Sequence, residues 1–262
     1  MHKTTAENKK TNLFLILSGI FLTNAILAEL IGVKLFSLES TFGFEPANIP
    51  LLGYNLDFSL TAGVVIWPVV FITTDVINEY FGKEGVKKIS FITAALIAYG
   101  FVAIWIVIEL PPAQFWLDVN QKGGYPDFNI DFAFSKVYRQ GLGIIIGSLV
   151  AFLIAQLLDV FIFQQLRRIT GGKKIWLRAT GSTLISQLVD SFVVLVIAFY
   201  VFGDWPIVQV LAVGVKNYIY KFVVAILITP VIYLAHHLID NYLGKEQADG
   251  MIAKASENRS FF

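Results

Sequence analysis

Cysteine is absent from the 262-residue chain, and histidine and methionine are scarce. Without cysteine there can be no disulfide framework, no thiolate metal site and no cysteine nucleophile. The three histidines, His2, His236 and His237, are too few for an imidazole-rich metal site, and two of them are adjacent. We therefore predict no metal centre and no other cofactor.

Charged residues are also scarce, at 15% of the chain, whereas hydrophobic residues make up 56%. Such proportions are far from those of a soluble domain and indicate a membrane protein. The formal net charge is only +1, so the chain lacks the broad basic face of a nucleic-acid binder, and no nucleic-acid partner is expected. The sequence also has no phosphate-binding loop, so this chain cannot itself hydrolyse ATP.

Six apolar stretches recur along the chain, each about as long as a bilayer core requires. They predict an all-α, polytopic membrane protein with a six-helix transmembrane domain (13–240), an N-terminal tail (1–12) and a C-terminal tail (241–262). The predicted spans are Leu13–Lys34, Phe58–Phe81, Val86–Leu110, Val137–Phe163, Leu177–Phe202 and Pro206–Leu238.

Lysine and arginine are unevenly distributed between the connections. With a cytoplasmic N-terminus, fourteen of the twenty basic residues fall on the cytoplasmic side, four on the opposite side and two within the sixth span. Basic residues near helix ends are retained in the cytoplasm, so both termini are predicted to be cytoplasmic. The first span is too long, and too polar at Glu29 and Lys34, for a cleavable signal peptide. The outer connections 36–57 and 111–136 are long enough to cap an outward opening.

Two prolines lie within the predicted spans, Pro68 in the second and Pro230 in the sixth. Each removes a backbone hydrogen bond and favours a kink in its helix. The alternative is that both only shape the bundle, since membrane helices tolerate proline.

Polar and ionisable side chains within the spans are the main candidates for function, because a charge at the bilayer centre costs about 2.5–3.5 kcal/mol on insertion scales. Four-residue spacing places Asp75 and Glu79 on one face of the second helix. Steps of four and three place Gln187 and Asp190 on one face of the fifth, with Thr183. The predicted substrate-binding residues are Asp75, Asn78, Glu79, Gln187, Asp190, Lys216 and Asn217.

These candidates have structural alternatives. Asp75 and Glu79 could be merely interfacial carboxylates at the end of the second helix. Gln187 and Asp190 could form a buried polar brace between helices. Lys216 and Lys221 could be counter-ions of the carboxylates rather than ligands. Three other charged residues are predicted nearer the membrane interfaces, where snorkelling explains them. They are Glu29, Lys34 and Asp159.

Two segments closely resemble the queuosine precursor transporter family, which lies within the vitamin uptake transporters. They are IWPVVFITTDVINEYFGK (66–83) and RATGSTLISQLVDS (178–191). The resemblance implies a bacterial inner-membrane protein that imports 7-cyano-7-deazaguanine or 7-aminomethyl-7-deazaguanine, the precursors of a modified tRNA nucleoside. The matching motif residues are Asp75, Asn78, Glu79, Gln187 and Asp190.

The chemistry of the predicted site agrees with this resemblance. A deazaguanine edge presents a ring N–H and an exocyclic amine, which one carboxylate can accept together. The carbonyl of the base requires a donor such as Gln187, Asn78 or Lys216. Trp67 or Tyr220 could stack on the flat ring, although core packing is the better explanation of each in a chain with 15% aromatic residues.

We therefore predict a secondary importer that binds its base between helices and opens alternately to each side of the lipid bilayer. A carboxylate such as Glu79 or Asp190 could carry a coupled proton, and pH-insensitive uptake would count against that hypothesis. The alternative is a substrate-binding subunit of an energy-coupling-factor type vitamin importer, which would need an energising complex. An enzyme is not expected, because no nucleophile and base pair occurs at a sensible spacing. A homo-oligomer is compatible with the apolar surface, but lipid would cover that surface equally well.

Overall fold

The structure is a computed structural model that describes residues 2–121, 128–142, 145–171 and 174–257. Ten α-helices lie within these residues: α1 (His2–Ile31), α2 (Leu38–Thr41), α3 (Trp67–Ile108), α4 (Gln114–Gln121), α5 (Ile130–Leu142), α6 (Ile145–Ile169), α7 (Ile175–Leu195), α8 (Ile207–Leu227), α9 (Thr229–Leu243) and α10 (Lys245–Glu257). The described strands are β1 (Leu35–Ser37), β2 (Ile49–Leu51), β3 (Tyr54–Leu56) and β4 (Ser59–Thr61). A 3₁₀ turn (Ala62–Val65) precedes α3, and π-helical residues Val196–Val201 extend α7.

Five helical segments of the described chain are long and apolar enough to cross a membrane. They are Ala6–Ile31, Trp67–Ile108, Gly147–Ile169, Ile175–Val201 and Ile207–Leu227. Large apolar side chains on these helices, such as Ile16, Trp105 and Leu227, are exposed, and a bilayer would cover them. The predicted all-α, polytopic membrane class is confirmed.

The longest of these helices, α3, is divided at Gly82, whose backbone is not helical (φ 70°, ψ −174°). In an unbroken helix, Cα atoms eight residues apart are about 12 Å apart. A Cβ atom added to Gly85 would nevertheless lie only 3.2 Å from Cγ2 of Ile77. The chain therefore bends sharply between segments 67–81 and 83–108. The number of membrane spans, predicted to be six, and the cytoplasmic position of both termini stay predictions.

Replacement of Gly82 with alanine is expected to destabilise the protein by about 1–3 kcal/mol. A side chain disfavours the φ of 70° with extended ψ, and the added Cβ would lie 3.3 Å from the carbonyl oxygen of Ala255. Gly100→Ala is the matched control, because nothing lies within 4 Å of a Cβ added there. Thermal unfolding in detergent should show a lower Tm for Gly82→Ala alone; equal shifts in both variants would contradict the prediction.

The predicted start of the second span is wrong, because residues 58–66 are not α-helical. Ser59–Thr61 form strand β4, which pairs antiparallel with β1. A short apolar run has the same appearance in a strand as in a buried helix, so periodicity alone does not separate them. Since α3 begins at Trp67, Pro68 lies in the first turn, where proline costs no helical hydrogen bond. The kink predicted at Pro68 is therefore not observed.

The fourth and sixth predicted spans each combine two helices. Val137–Phe163 joins the end of α5 to α6, and residues 143–144 between them lie outside the described part of the chain. Pro206–Leu238 covers α8 and most of α9, which meet at Ile228, two residues before Pro230. The helix break predicted from Pro230 is thus present.

Both predicted tails are helical where they are described. Helix α1 already begins at His2 and ends at Ile31, before Lys34. In the C-terminal tail, α10 packs against α3, and the side-chain amide of Gln247 donates a hydrogen bond to the carbonyl oxygen of Ala6 at 2.7 Å. These contacts tie the two ends of the chain together.

The connection between α1 and α3, which is predicted to lie on the outer side, folds into two antiparallel pairs, β1 with β4 and β2 with β3. Glu39 holds it together: Oε1 accepts hydrogen bonds from the backbone N–H groups of Phe58 (2.6 Å) and Ala47 (3.4 Å), and Oε2 accepts one from the Ser37 hydroxyl (3.2 Å). Burial alone would raise the pKa of Glu39, but these hydrogen bonds lower it below its ordinary value.

Glu39→Gln is expected to lower the hydrogen-exchange protection of the Phe58 amide by about tenfold or more at neutral pH, because that N–H loses a charged acceptor. Since the folded pKa is lowered, the contribution of Glu39 is present above its ordinary pKa and is lost as pH falls through the lowered value. Protection in the native protein should therefore decline in acid, whereas the glutamine variant should lack this pH dependence. The same acid response in both proteins would contradict this role of Glu39.

The apolar core lies where α1, α3 and α6 meet, and includes Phe21, Val70, Ile77 and Phe152. Polar side chains replace apolar ones where α3 and α6 face α7. The bundle therefore contains a polar region at the depth of its core.

Candidate functional site

A cavity lies between α3, α6, α7 and α8, beside the apolar core. Three aromatic rings line it, those of Trp67, Phe71 and Phe152. Its polar wall is formed by Thr74, Gln156, Asp159, Thr183, Ser186, Gln187, Asp190 and Lys221. The volume is about 40 Å³, room for about three water molecules. A larger ligand would enter only after the helices move apart.

Helical spacing explains why these polar side chains meet. Thr183, Gln187 and Asp190 follow one another by steps of four and three along α7, so they share one face. On α6, Gln156 and Asp159 are three residues apart and share a face in the same way. The sequence predicts the α7 stripe, and the structure places it in the cavity wall.

Asp159 is buried within the bundle, with 6% of its surface exposed, so its interpretation as a snorkelling residue near an interface is wrong. Its Oδ1 accepts a hydrogen bond from the Ser186 hydroxyl at 3.2 Å, and the hydroxyls of Ser182 and Thr183 also interact with the carboxylate. Oδ2 has no partner of hydrogen-bonding geometry among the described residues. The three-residue step from Gln156 is the sequence signal that could have identified Asp159.

Gln187 and Asp190 differ in their partners. Gln187 is 5% exposed, and its side-chain oxygen has no hydrogen-bond partner within the described ranges. Asp190 is half-buried and forms an ion pair with Lys221. In this pair Lys221 is the counter-ion of Asp190. The side-chain oxygen of Gln187 is open to a hydrogen-bond donor.

Asp75 lies on α3 next to the cavity residue Thr74, but it does not itself line the cavity. Only 1% of its surface is exposed, yet neither carboxylate oxygen has a hydrogen-bond partner in the described part of the chain. It interacts electrostatically with Asp159, Glu79 and Arg178. Burying a carboxylate that accepts no hydrogen bond costs free energy. A ligand that donates hydrogen bonds to the two open oxygens of Asp75 would offset this cost.

Glu79 lies one turn further along α3 and forms ion pairs with two arginines. Nη2 and Nε of Arg178 lie 2.6 and 3.1 Å from its two oxygens, and Nη2 of Arg167 lies 3.7 Å from Oε1. Both arginines are buried, although their sequence positions suggest cytoplasmic helix ends. Arg167 also donates to the carbonyl oxygen of Ile252 at 2.6 Å. These contacts join α3, α6, α7 and α10 beyond the cavity.

Asn78 faces α6, where its side-chain oxygen accepts a hydrogen bond from the Gln164 amide at 2.7 Å. Its own amide nitrogen has no partner among the residues that the structure describes. Asn78 therefore connects the Asp75 level of α3 to α6, and both N–H donors of its amide remain open.

Lys216 and Asn217 do not line the cavity. The ammonium group of Lys216 instead donates a hydrogen bond to the carbonyl oxygen of Ser59 at 2.9 Å, which ties α8 to strand β4. Tyr220 is likewise absent from the cavity wall, whereas Trp67 is part of it. Trp67 packs against Phe71 and Phe152, with ring centroids 5.9 Å apart in both pairs.

The site thus presents an excess of hydrogen-bond acceptors beside an aromatic wall. Within the described ranges, no group of three or more histidine, aspartate or glutamate side chains is arranged to hold a metal ion. Unpartnered carboxylate and amide oxygens match a ligand that is rich in N–H donors. The aromatic rings match one that is flat.

Comparison with known proteins identifies related chains. A family described as "Putative vitamin uptake transporter" matches residues 61–235, more than half of the chain. "Probable queuosine precursor transporter" of Bacillus subtilis is 31% identical over 74% of this chain and 80% of its own length. A protein with the same name from Haemophilus influenzae is 31% identical over 69% and 71%. "Queuosine precursor transporter" of Escherichia coli is 29% identical over 55% and 58%. No solved structure matches.

These relatives are named as transporters, which agrees with the prediction that the chain is not an enzyme. The five apolar helices of the described residues, together with the family match, identify a multi-pass protein of the bacterial inner (plasma) membrane. The chain belongs to the vitamin uptake transporter family.

Proposed function

We propose that this protein imports queuosine precursors, which are 7-deazaguanine bases, and binds them in the cavity between α3, α6, α7 and α8. The names of the three relatives support this substrate class. The observation in this chain that carries the proposal is the set of buried acceptors without partners among the described residues. They are both oxygens of Asp75, Oδ2 of Asp159 and the side-chain oxygen of Gln187.

The hydrogen-bonding edge of a deazaguanine complements these acceptors. The ring N–H and the exocyclic amine lie side by side, so a carboxylate with two free oxygens can accept both. Asp75 is the carboxylate with two free oxygens. Gln187 would accept a further N–H of the base, and the open amide of Asn78 would donate to its carbonyl oxygen.

Trp67 and its aromatic neighbours would supply a stacking surface for the flat ring. The cavity is smaller than a bicyclic base, so the helices around it would have to move apart to admit substrate. Alternating access requires such movements of helices around a central site. The ion pair of Glu79 with Arg178 lies beyond Asp75 on α3 and would close the cytoplasmic side.

Lys216 and Asn217 have different proposed roles from the base-binding residues. Lys216 would hold strand β4 against α8 through its hydrogen bond to the carbonyl oxygen of Ser59. Asp190 would act through its ion pair with Lys221, which holds α7 to α8 at the edge of the cavity. Of the predicted candidates, we assign direct base contacts to Gln187, which lines the cavity, and to Asp75 and Asn78, whose open groups lie beside it on α3.

The experiment that tests this proposal uses bacteria that can neither make 7-deazaguanines nor import them. Expression of this chain should restore queuosine in their tRNA when 7-cyano- or 7-aminomethyl-7-deazaguanine is supplied at low concentration. A Gln187→Ala variant made in equal amounts should require a higher concentration. No restoration despite correct membrane insertion would refute the function. Restoration only alongside an energising complex would favour a binding subunit instead.

A further inference from the structure

We propose that the cavity selects the cationic precursor, 7-aminomethyl-7-deazaguanine, over the neutral 7-cyano compound, and that Asp159 makes this selection. The inference rests on the proposed function and specifies which member of the substrate class the site prefers. It follows from the charges around the cavity and from the number of open oxygens on each carboxylate.

The charged groups that line the cavity do not balance. Asp159, Asp190 and Lys221 are the charged members of its lining within the described residues. Asp190 and Lys221 form an ion pair, so Asp159 is left without a cation. Asp75 adjoins Asp159, and the arginine with which it interacts, Arg178, is bonded to Glu79. The site therefore favours a ligand that brings a positive charge.

The two carboxylates differ in the number of donors that they can accept. Among the described residues, Asp75 has two oxygens without hydrogen-bond partners, whereas Asp159 has one, because its Oδ1 accepts a bond from Ser186. Two open oxygens fit the paired N–H groups of the base edge. One open oxygen fits a single donor elsewhere on the ligand.

The substituent at position 7 is where the two precursors differ. An aminomethyl group is an ammonium at neutral pH. It can therefore neutralise the charge of Asp159 and donate a hydrogen bond to its Oδ2. A nitrile is only an acceptor, and its nitrogen would face a carboxylate oxygen without a proton between them. One charge-assisted hydrogen bond gained by the amine corresponds to about 10- to 100-fold in affinity.

The test is competition binding to the purified full-length protein with 7-aminomethyl-, 7-cyano- and 7-hydroxymethyl-7-deazaguanine. The wild type should bind the amine at least tenfold more tightly than the other two. Asp159→Asn should remove this preference by weakening binding of the amine at least tenfold, while affinity for the cyano compound stays the same or rises, because asparagine can donate to the nitrile. Asp118→Asn, an exposed change in α4, should leave all three affinities unaltered.

Equal affinities in the wild type, or tighter binding of the cyano compound, would overturn the inference while leaving the import function intact. The same loss of both precursors in Asp159→Asn would also overturn it, because Asp159 would then contact the shared ring. Binding of none of the three by the wild type would instead refute the proposed substrate class, and this inference with it. Even if Asp159→Asn does not fold, the ratio of the wild type's affinities for the aminomethyl and cyano compounds shows whether the cavity prefers the cation.

Discussion

Replacing Arg178 with alanine should lower the free energy of unfolding by about 3–5 kcal/mol, the largest stability effect that we expect from a single substitution of a charged side chain in this protein. The change removes two hydrogen bonds to Glu79, which is 1% exposed. Arg167 would remain at 3.7 Å from the carboxylate and could offset only part of the loss. The unpaired charge of Glu79, rather than the value of the pair itself, is the source of the destabilisation.

Denaturation in mixed micelles measures this effect, with Arg139→Ala as the matched control. Arg139 forms an ion pair with Glu109 at 2.7 Å, but more than half of each side chain is exposed. Exposed pairs contribute about 0.2–1 kcal/mol. The double variant Glu79→Ala with Arg178→Ala should be less destabilised than the sum of the single variants, because it leaves no orphaned carboxylate. Equal effects of Arg178→Ala and Arg139→Ala would contradict the buried pair.

Replacing Asp75 with asparagine should weaken binding of either 7-deazaguanine by about 100-fold or more. Each hydrogen bond to a charged group contributes about 1.5–3 kcal/mol, and Asp75 has two open oxygens to accept such bonds. Asparagine keeps one oxygen, but it presents its amide NH2, which is itself a donor, to the second N–H of the base. Titration calorimetry on the purified variant measures the loss.

Stability separates this role of Asp75 from a structural one. Its carboxylate accepts no hydrogen bond from the described residues, so the asparagine variant should be as stable as the wild type or more so. Reduced stability together with reduced binding would indicate that Asp75 supports the bundle instead. Unchanged affinity would remove Asp75 from the proposed site.

The sequence predicts the helical class and the approximate position of each apolar segment, because hydrophobic length is a strong signal in a membrane protein. It does not predict helix starts such as Trp67, since the apolar residues before it look helical but pair as strand β4. The effect of Pro68 on the helix is not predictable from the sequence for the same reason. Whether it kinks a helix or begins one depends on where the helix starts.

The candidate site was only partly predictable. Spacing on a single helix identifies Gln187 and Asp190, both of which line the cavity. Partners on different helices leave no such signal: Glu79 and Arg178 are 99 positions apart, and a basic residue at a helix end ordinarily indicates the cytoplasmic side. The sequence places Asp159 near an interface because it does not show which face of α6 is buried.

Uptake into proteoliposomes that contain this chain alone tests the central claim most directly. We predict saturable uptake of labelled 7-aminomethyl-7-deazaguanine that unlabelled 7-deazaguanines inhibit, that adenine does not, and that Asp75→Asn abolishes. No uptake by correctly inserted, folded wild-type protein would contradict the claim that this bundle transports a 7-deazaguanine by itself.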